Sequence, residues 1–323
     1  MTRRSNRKNQ IISKYEFSLI SKPNDFEGFK DIFIRCLFHL SLLLLSLHFY
    51  EQKYYIIAFL FLVPHYMAWS FLGWSGIGHE LFHKKVFTNK KFNTVLFRVF
   101  SVLCWSNYGY FETSHTIHHK NPLSGEDFEV SPQGRLVGWA LIGSLTFDLG
   151  TALRRVIVLT KNAFGQGPTG AEGKYFPVNS SALSNLINGA RTVLIFHAIV
   201  IIISIYIDSL FPILSITIAP FVMNFPNRIL AALQHFNLES DPDKQDLFFS
   251  TRTIMLNPII QFFYAGMNFH TEHHIFPSVP FYNLPFLHKR FREHDILINF
   301  EPNFISGIQY LYKNGYFHPV SRN

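Results

Sequence analysis

Three short stretches concentrate the histidines of this sequence. His79-Glu80-Leu81-Phe82-His83 places two imidazoles at i and i+4. Ser114-His115-Thr116-Ile117-His118-His119-Lys120 and Asn268-Phe269-His270-Thr271-Glu272-His273-His274 each place three at i, i+3 and i+4. On a helix these positions share a face, so the rings of each stretch are expected to point at one spot. A neutral imidazole offers a nitrogen lone pair, and metal ligation is the chemistry that gathers several of them. Eight of the sixteen histidines lie in these stretches. Zinc takes about four ligands and an octahedral ion about six, so two metals are implied. His235, in Leu233-Gln234-His235-Phe236, stands just past an apolar segment and is placed as a ninth ligand. His39, His48, His65 and His197 stand singly among apolar residues and read as hydrogen-bonded core groups. His288, His294 and His318 lie in a polar tail and are expected to face solvent or lipid head groups.

The elements that must hold these residues are apolar. Hydrophobic residues make up 48% of the 323 and charged ones 15%, well below the ~25% charged usual for soluble proteins. An integral membrane protein is expected. Two apolar segments, 33–50 and 54–74, flank the break Glu51-Gln52-Lys53, and each is near the ~20 residues that cross a bilayer as a helix. They predict a helical hairpin. Segment 192–227 holds Asp208 as its only charge and is interrupted at Asp208-Ser-Leu-Phe-Pro212, which predicts a second hairpin. Segments 93–110, with Arg98, and 136–153, with Asp148, are apolar but charged, and read as helices lying in the interface. The stretch 161–191 is polar and expected in water. The fold class predicted is all-α and membrane-embedded: about four transmembrane helices in two hairpins, with interfacial helices and a cap.

One domain is expected over 1–323. Its parts are a basic N-terminal segment (1–31, with Arg3, Arg4 and Arg7), the first hairpin (33–74), a region with the first two clusters (75–191), the second hairpin (192–227) and a region with the last cluster (228–323). Lys53 is the only Lys or Arg in the turns at 51–53 and 208–212. The positive-inside tendency then puts both termini and every histidine cluster on the cytoplasmic side. The net charge of +8 is scattered among apolar segments, which favours anionic lipid head groups over nucleic acid as its partner. Cys36 and Cys104 suggest neither a disulfide framework nor a thiolate metal site.

The order of a two-histidine box, an H-x-x-H-H box, a lone histidine and a final H-x-x-H-H box resembles the membrane fatty acid desaturase superfamily, which includes related hydroxylases and ketolases. The likeness runs from about residue 54 to 288 and extends to Asn268 before the last box and Phe276-Pro277, Pro280 and Leu284-Pro285 after it. The resemblance implies four spans with a cytoplasmic cap and a non-haem centre of two irons. It implies that His79, His83, His115, His118, His119, His235, His270, His273 and His274 bind them, and that dioxygen and external electrons are used to attack an unactivated C–H bond. A fatty acyl or related hydrophobic substrate follows from it. No haem-binding His-Pro-Gly-Gly stretch or Cys-rich ferredoxin motif is present, so a separate ferredoxin- or cytochrome b5-like donor is expected. Glu80, Glu112, Asp127, Asp246 and Glu272 are candidates to accept the outer N–H of the ligating rings, with Asn268 as a further candidate or a helix cap.

Two other readings compete. His79-Glu80-Leu81-Phe82-His83 matches the H-E-x-x-H zinc protease signature, in which Glu is the general base. That site needs three ligands, which leaves at least six clustered histidines without a role. A metal transporter would place its ligands at the bilayer midplane between spans, whereas these boxes stand at or beyond the expected span ends.

Overall fold

A computed structural model describes residues 8, 10–129, 135–238 and 247–319. Arg3, Arg4, Arg7 and Asp246 lie outside the described residues. The described residues are mostly helical, with one two-stranded sheet among them.

Helix α1 (Lys14–Ile20) opens with a capping box in which the Ser13 and Glu16 side chains serve each other's backbone N–H. Helix α2 (Asp25–Glu51) is capped by Asn24, and α3 (Tyr55–Trp69) returns beside it. The expected first hairpin is therefore present, turned at Lys53 with φ +62°. Its seam is polar. On α2 the buried positions are Gly28, Asp31, Arg35, His39 and Ser46, while Phe33, Leu37, Leu40 and Leu44 are exposed. His39 Nδ1 lies 3.1 Å from His65 Nδ1, and Ser46 Oγ donates to the Ala58 carbonyl at 2.9 Å. After a 3₁₀ turn (Ser70–Leu72) the chain enters α4 (Ile77–Phe82). His48, expected in the core, is exposed instead, one turn from the end of α2.

Helices α5 (Lys90–Leu103) and α6 (Tyr108–Lys120) meet at a tight turn with Trp105 at φ +53°. Then α7 (Trp139–Leu145) and α8 (Leu149–Ala163) leave Trp139, Ile142, Leu149, Leu153 and Ile157 exposed, the pattern of a helix pair covered by lipid rather than by protein. Helix α9 (Ser181–Tyr206) starts at a Ser180 cap, eleven residues before the apolar segment that predicted it. Its first turns are polar, so hydropathy alone misses them.

Among the described residues, three helical stretches are long and apolar enough to cross a membrane: Asp25–Glu51, Tyr55–Phe82 and Ser181–Tyr206. The other arm of the expected second hairpin is not a continuous helix. A π-helical turn (Ile213–Thr217) and a 3₁₀ turn (Ala219–Phe221) precede α10 (Phe225–His235). Pro212, Pro220 and Pro226 each lack an N–H and disturb the helical ladder. Side chains satisfy carbonyls in this segment: Tyr66 Oη donates to Leu214 at 3.0 Å, His65 Nε2 to Ser215 at 2.8 Å and Trp105 Nε1 to Thr217 at 2.8 Å. Three aromatic or imidazole side chains inside the bundle thus serve a broken backbone.

The C-terminal part contains β1 (Arg252–Ile254), α11 (Pro258–Phe263), α12 (His270–Ile275), α13 (Leu284–Glu293), β2 (Asn299–Glu301) and α14 (Phe304–Lys313). Strands β1 and β2 are parallel, with Thr253 opposite Phe300. The N-terminal segment straps this region down. Lys8 Nζ donates to the Ile275 carbonyl at 2.5 Å, Asn283 Nδ2 to that of Ile20 at 2.7 Å, and Glu16 pairs with Arg290. Ile11 and Ile12 of this segment are buried.

Helix α6 crosses α9 at Gly109, where a Cβ would lie 2.3 Å from the Asn185 carbonyl carbon and oxygen. Overpacking of this kind costs about 1–3 kcal/mol. Gly109→Ala is expected to lower the unfolding midpoint of the purified protein in detergent; an unchanged midpoint would mean that the two helices part easily.

Candidate metal centre

The nine histidines singled out from the sequence come together from four helices. α4 supplies His79 with His83 at its C-cap, α6 supplies His115, His118 and His119, α10 ends at His235, and α12 supplies His270, His273 and His274. They form two groups, His79, His83, His115, His119 and His273 in one and His118, His235, His270 and His274 in the other. Within each group the donor nitrogens lie within 4.8 Å of one another.

The boxes do not each point at one spot. At about 100° per residue, i and i+4 are ~40° apart and i+3 is turned ~60° the other way. His115 and His119 accordingly face the first group while His118 faces the second, and His270 and His274 face the second while His273 faces the first. Each three-histidine box is divided between the two groups.

All nine Nε2 atoms make close contacts with another Nε2. In the first group His273 lies 3.0 Å from His79 and 3.3 Å from His119, and His83 lies 3.1 Å from His115. In the second, His274 lies 3.2 Å from His118 and 3.1 Å from His270, which is 2.8 Å from His235. The outer nitrogens explain which atom is bare. His79 Nδ1 faces the Trp74 carbonyl at 3.1 Å and His235 Nδ1 the Ser250 carbonyl at 2.9 Å; His115 Nδ1 faces Glu129 at 2.9 Å and His118 Nδ1 faces Asp127 at 2.8 Å. Carbonyls and carboxylates only accept, so these rings carry hydrogen on Nδ1 and turn a lone pair inward. His79 and His118 therefore turn a bare Nε2 toward the Nε2 of His273 and of His274, one such pair in each group, and a cluster of imidazole nitrogens of this kind suits a cation.

Electrostatics agree with this reading. Burial lowers His83 and His235 to about 3 and holds His115, His119, His270, His273 and His274 well below the usual imidazole range. These rings are neutral at pH 7 and free to donate. His118 departs from them: burial opposes its charge, but the hydrogen bond to Asp127 and the Glu129 and Asp127 charges outweigh it and raise its pKa. Burial pushes Glu129 up to about 7. The second group is entirely buried, whereas His83 and His119 of the first are half-buried, beside the exposed Lys84 and Lys120.

Of the acids proposed to orient the rings, Asp127 does so. Glu80 is buried with Oε1 3.3 Å from His273 Nδ1, a contact without hydrogen-bond geometry. It faces the back of a ring in another box, not an open coordination position as a protease base would. Glu112 instead meets Asn185 at 3.3 Å and Arg98 at 3.8 Å. Glu272 turns away from the groups and accepts from Thr253 Oγ1 and His288 Nδ1, each at 2.5 Å. His288 is thus not a tail residue facing solvent, because α13 folds back onto α12; His294 and His318 are exposed as expected. Asn268 is not the cap of α12 but donates to the Ile254 carbonyl at 3.0 Å. His39, His65 and His197 are hydrogen-bonded core residues. Glu129 escaped the sequence reading; its one signal is its place two residues past Asp127.

A cavity of about 480 Å³ lies between the first hairpin and the broken segment, lined by Ser46, Tyr55, Leu62, Tyr66, Leu214 and Met223 among others. None of the nine histidines lines it. A sequence model of the fatty acid desaturase family matches residues 32–300. No curated protein matches the chain.

Proposed function

The chain belongs to the fatty acid desaturase family, and from that premise we propose a membrane oxidoreductase that uses dioxygen and external electrons to oxidise a C–H bond of a fatty acyl chain. The observation that carries the reading is the convergence of nine Nε2 atoms into two adjoining groups. Two irons held by His79, His83, His115, His119 and His273 and by His118, His235, His270 and His274 would supply the activation of dioxygen that an unactivated C–H bond requires. Imidazole suits iron, and an all-histidine set adds no formal negative charge. The protein's own part is positional. Four helices hold the rings, outer acceptors fix the tautomers of His79, His115, His118 and His235, and burial of the second group keeps water from it. A channel between spans and cap would hold the chain so that one carbon faces the centre.

Desaturation is the reading adopted. Hydroxylation or ketone formation on a lipid or other hydrocarbon would use the same centre, and product mass separates them. Expression in a host with a compatible donor, followed by mass spectrometry of total lipids, is expected to show chains lighter by two hydrogens that are absent with His274→Ala. Added oxygen would favour the hydroxylase or ketolase reading. Near-stoichiometric zinc with little iron, together with peptide cleavage lost on Glu80→Ala, would overturn both.

In the proposed arrangement the three long helices and the segment through α10 make four passages, with both termini and the centre cytoplasmic. Support comes from the scarcity of Lys and Arg in the turns at 51–53 and 208–212 and from the satisfied carbonyls of the broken segment. A separate donor, ferredoxin- or cytochrome b5-like, would approach the half-buried His83 and His119 past Lys84 and Lys120. Electron transfer from an acidic donor is expected to slow about tenfold between low and high salt, because screening shortens the reach of surface charge. A rate indifferent to ionic strength counts against this docking face.

A further inference from the structure

We infer that the segment Asp127-Phe128-Glu129 sets the donor state of both groups at once, with one carboxylate assigned to each. The inference rests on the metal-centre reading above and extends it to residues outside the nine. His115 and His118 are three residues apart on α6 but face different groups. Glu129 Oε1 takes the Nδ1–H of the first at 2.9 Å, and Asp127 Oδ2 takes that of the second at 2.8 Å.

Both carboxylates are held in turn. Asp127 Oδ2 accepts from the Leu123 N–H at 2.8 Å, and Glu129 Oε2 accepts from Ser114 Oγ at 3.1 Å. Asp127 Oδ1 also accepts from the Glu129 backbone N–H at 3.1 Å. One acid therefore positions the other.

Among the described residues, the other six rings besides the half-buried His83 have weaker support. His79 and His235 face backbone carbonyls, and His273 meets Glu80 without hydrogen-bond geometry. The Nδ1 atoms of His119, His270 and His274 are buried with no hydrogen-bond partner. A carboxylate makes the imidazole it accepts from a more basic ligand than a carbonyl does. His115 and His118 are thus the rings braced by carboxylates, one in each group, and one short loop governs both. Asp127 and Glu129 are positioning residues: they act through the rings and do not touch the metal.

The bracing is asymmetric, and so are its consequences. Loss of Glu129 leaves the contacts of Asp127 intact, whereas loss of Asp127 removes the anchor of the Glu129 backbone. The test is anaerobic titration of the full-length protein in detergent with Fe(II), read by chelator competition so that each equivalent has its own affinity. Glu129→Ala is expected to weaken one equivalent about 10–100-fold and leave the other within about threefold. Asp127→Ala should weaken the other equivalent by a similar factor and the first by a smaller one. Glu129→Gln and Asp127→Asn keep an acceptor oxygen and should recover most of the loss, which a role confined to loop packing would not order in this way. Two wild-type equivalents that Glu129→Ala shifts equally, or not at all, would overturn the inference. A wild-type protein that takes up no Fe(II) would instead overturn the metal-centre reading on which it rests.

Discussion

Replacing His274 by alanine is expected to cut product formation at least about 100-fold and to leave at most one of two metal equivalents in a chain that remains folded. His274 occupies the middle of the second group, its Nε2 3.2 Å from that of His118 and 3.1 Å from that of His270. Without it three imidazoles remain there. The ring also stacks on His119 of the first group, with centroids 4.3 Å apart, so the loss reaches both groups through packing. Metal per chain and lipid product, measured on the same preparation, check the expectation. His48→Ala is the control, since His48 is exposed and belongs to neither group. A His274→Ala protein with full metal and full product would remove the second group from the proposed centre.

Asp31→Ala is expected to destabilise the protein by about 3–5 kcal/mol, the range for breaking a buried ion pair at one partner. The Arg35 side chain is 1% exposed and that of Asp31 6%, with Arg35 Nε 2.6 Å from Asp31 Oδ2. Arg35 also donates through Nη1 to the Phe263 carbonyl at 2.9 Å and through Nη2 to that of Phe262. The guanidinium thus joins α2 to the end of α11, seven residues before His270. Removing Asp31 strands a charge that these two carbonyls neutralise only in part. Denaturant unfolding in detergent measures the loss, and Asp31→Ala/Arg35→Met should be less destabilised than Asp31→Ala alone. A single variant within about 1 kcal/mol of wild type would show that water reaches Arg35.

The candidate ligands were legible because imidazoles at helical spacing are rare and their residue type names their chemistry. The first hairpin was legible for a similar reason: two apolar runs and three polar residues leave few alternatives. What escaped depends on geometry that spacing does not encode. His118 and His273 face away from their neighbours in sequence because a helix has 3.6 residues per turn, and which group each meets is decided by where four helices dock. Glu129 and His288 reach their partners through chain reversals that no local pattern announces. The arm after Asp208 looks like a span by composition, yet it is broken along its length, and its carbonyls at Leu214, Ser215 and Thr217 accept from the distant Tyr66, His65 and Trp105. Helix α9 begins earlier than hydropathy suggests because the Ser180 cap, not apolar composition, marks its start.

The division of α6 and α12 between both groups turns these helices into rulers. Both helices divide their histidines in the same way, the i and i+4 positions to one group and the i+3 position to the other. Sliding or rotating either one carries histidines of both groups together, so the arrangement resists distortions that would pull two independently held groups apart. An insertion of one residue between His115 and His118, or between His270 and His273, would swing ligands by about 100° and disassemble the pair as a unit. The centre is therefore a single mechanical object whose gauge is the pitch of an α-helix.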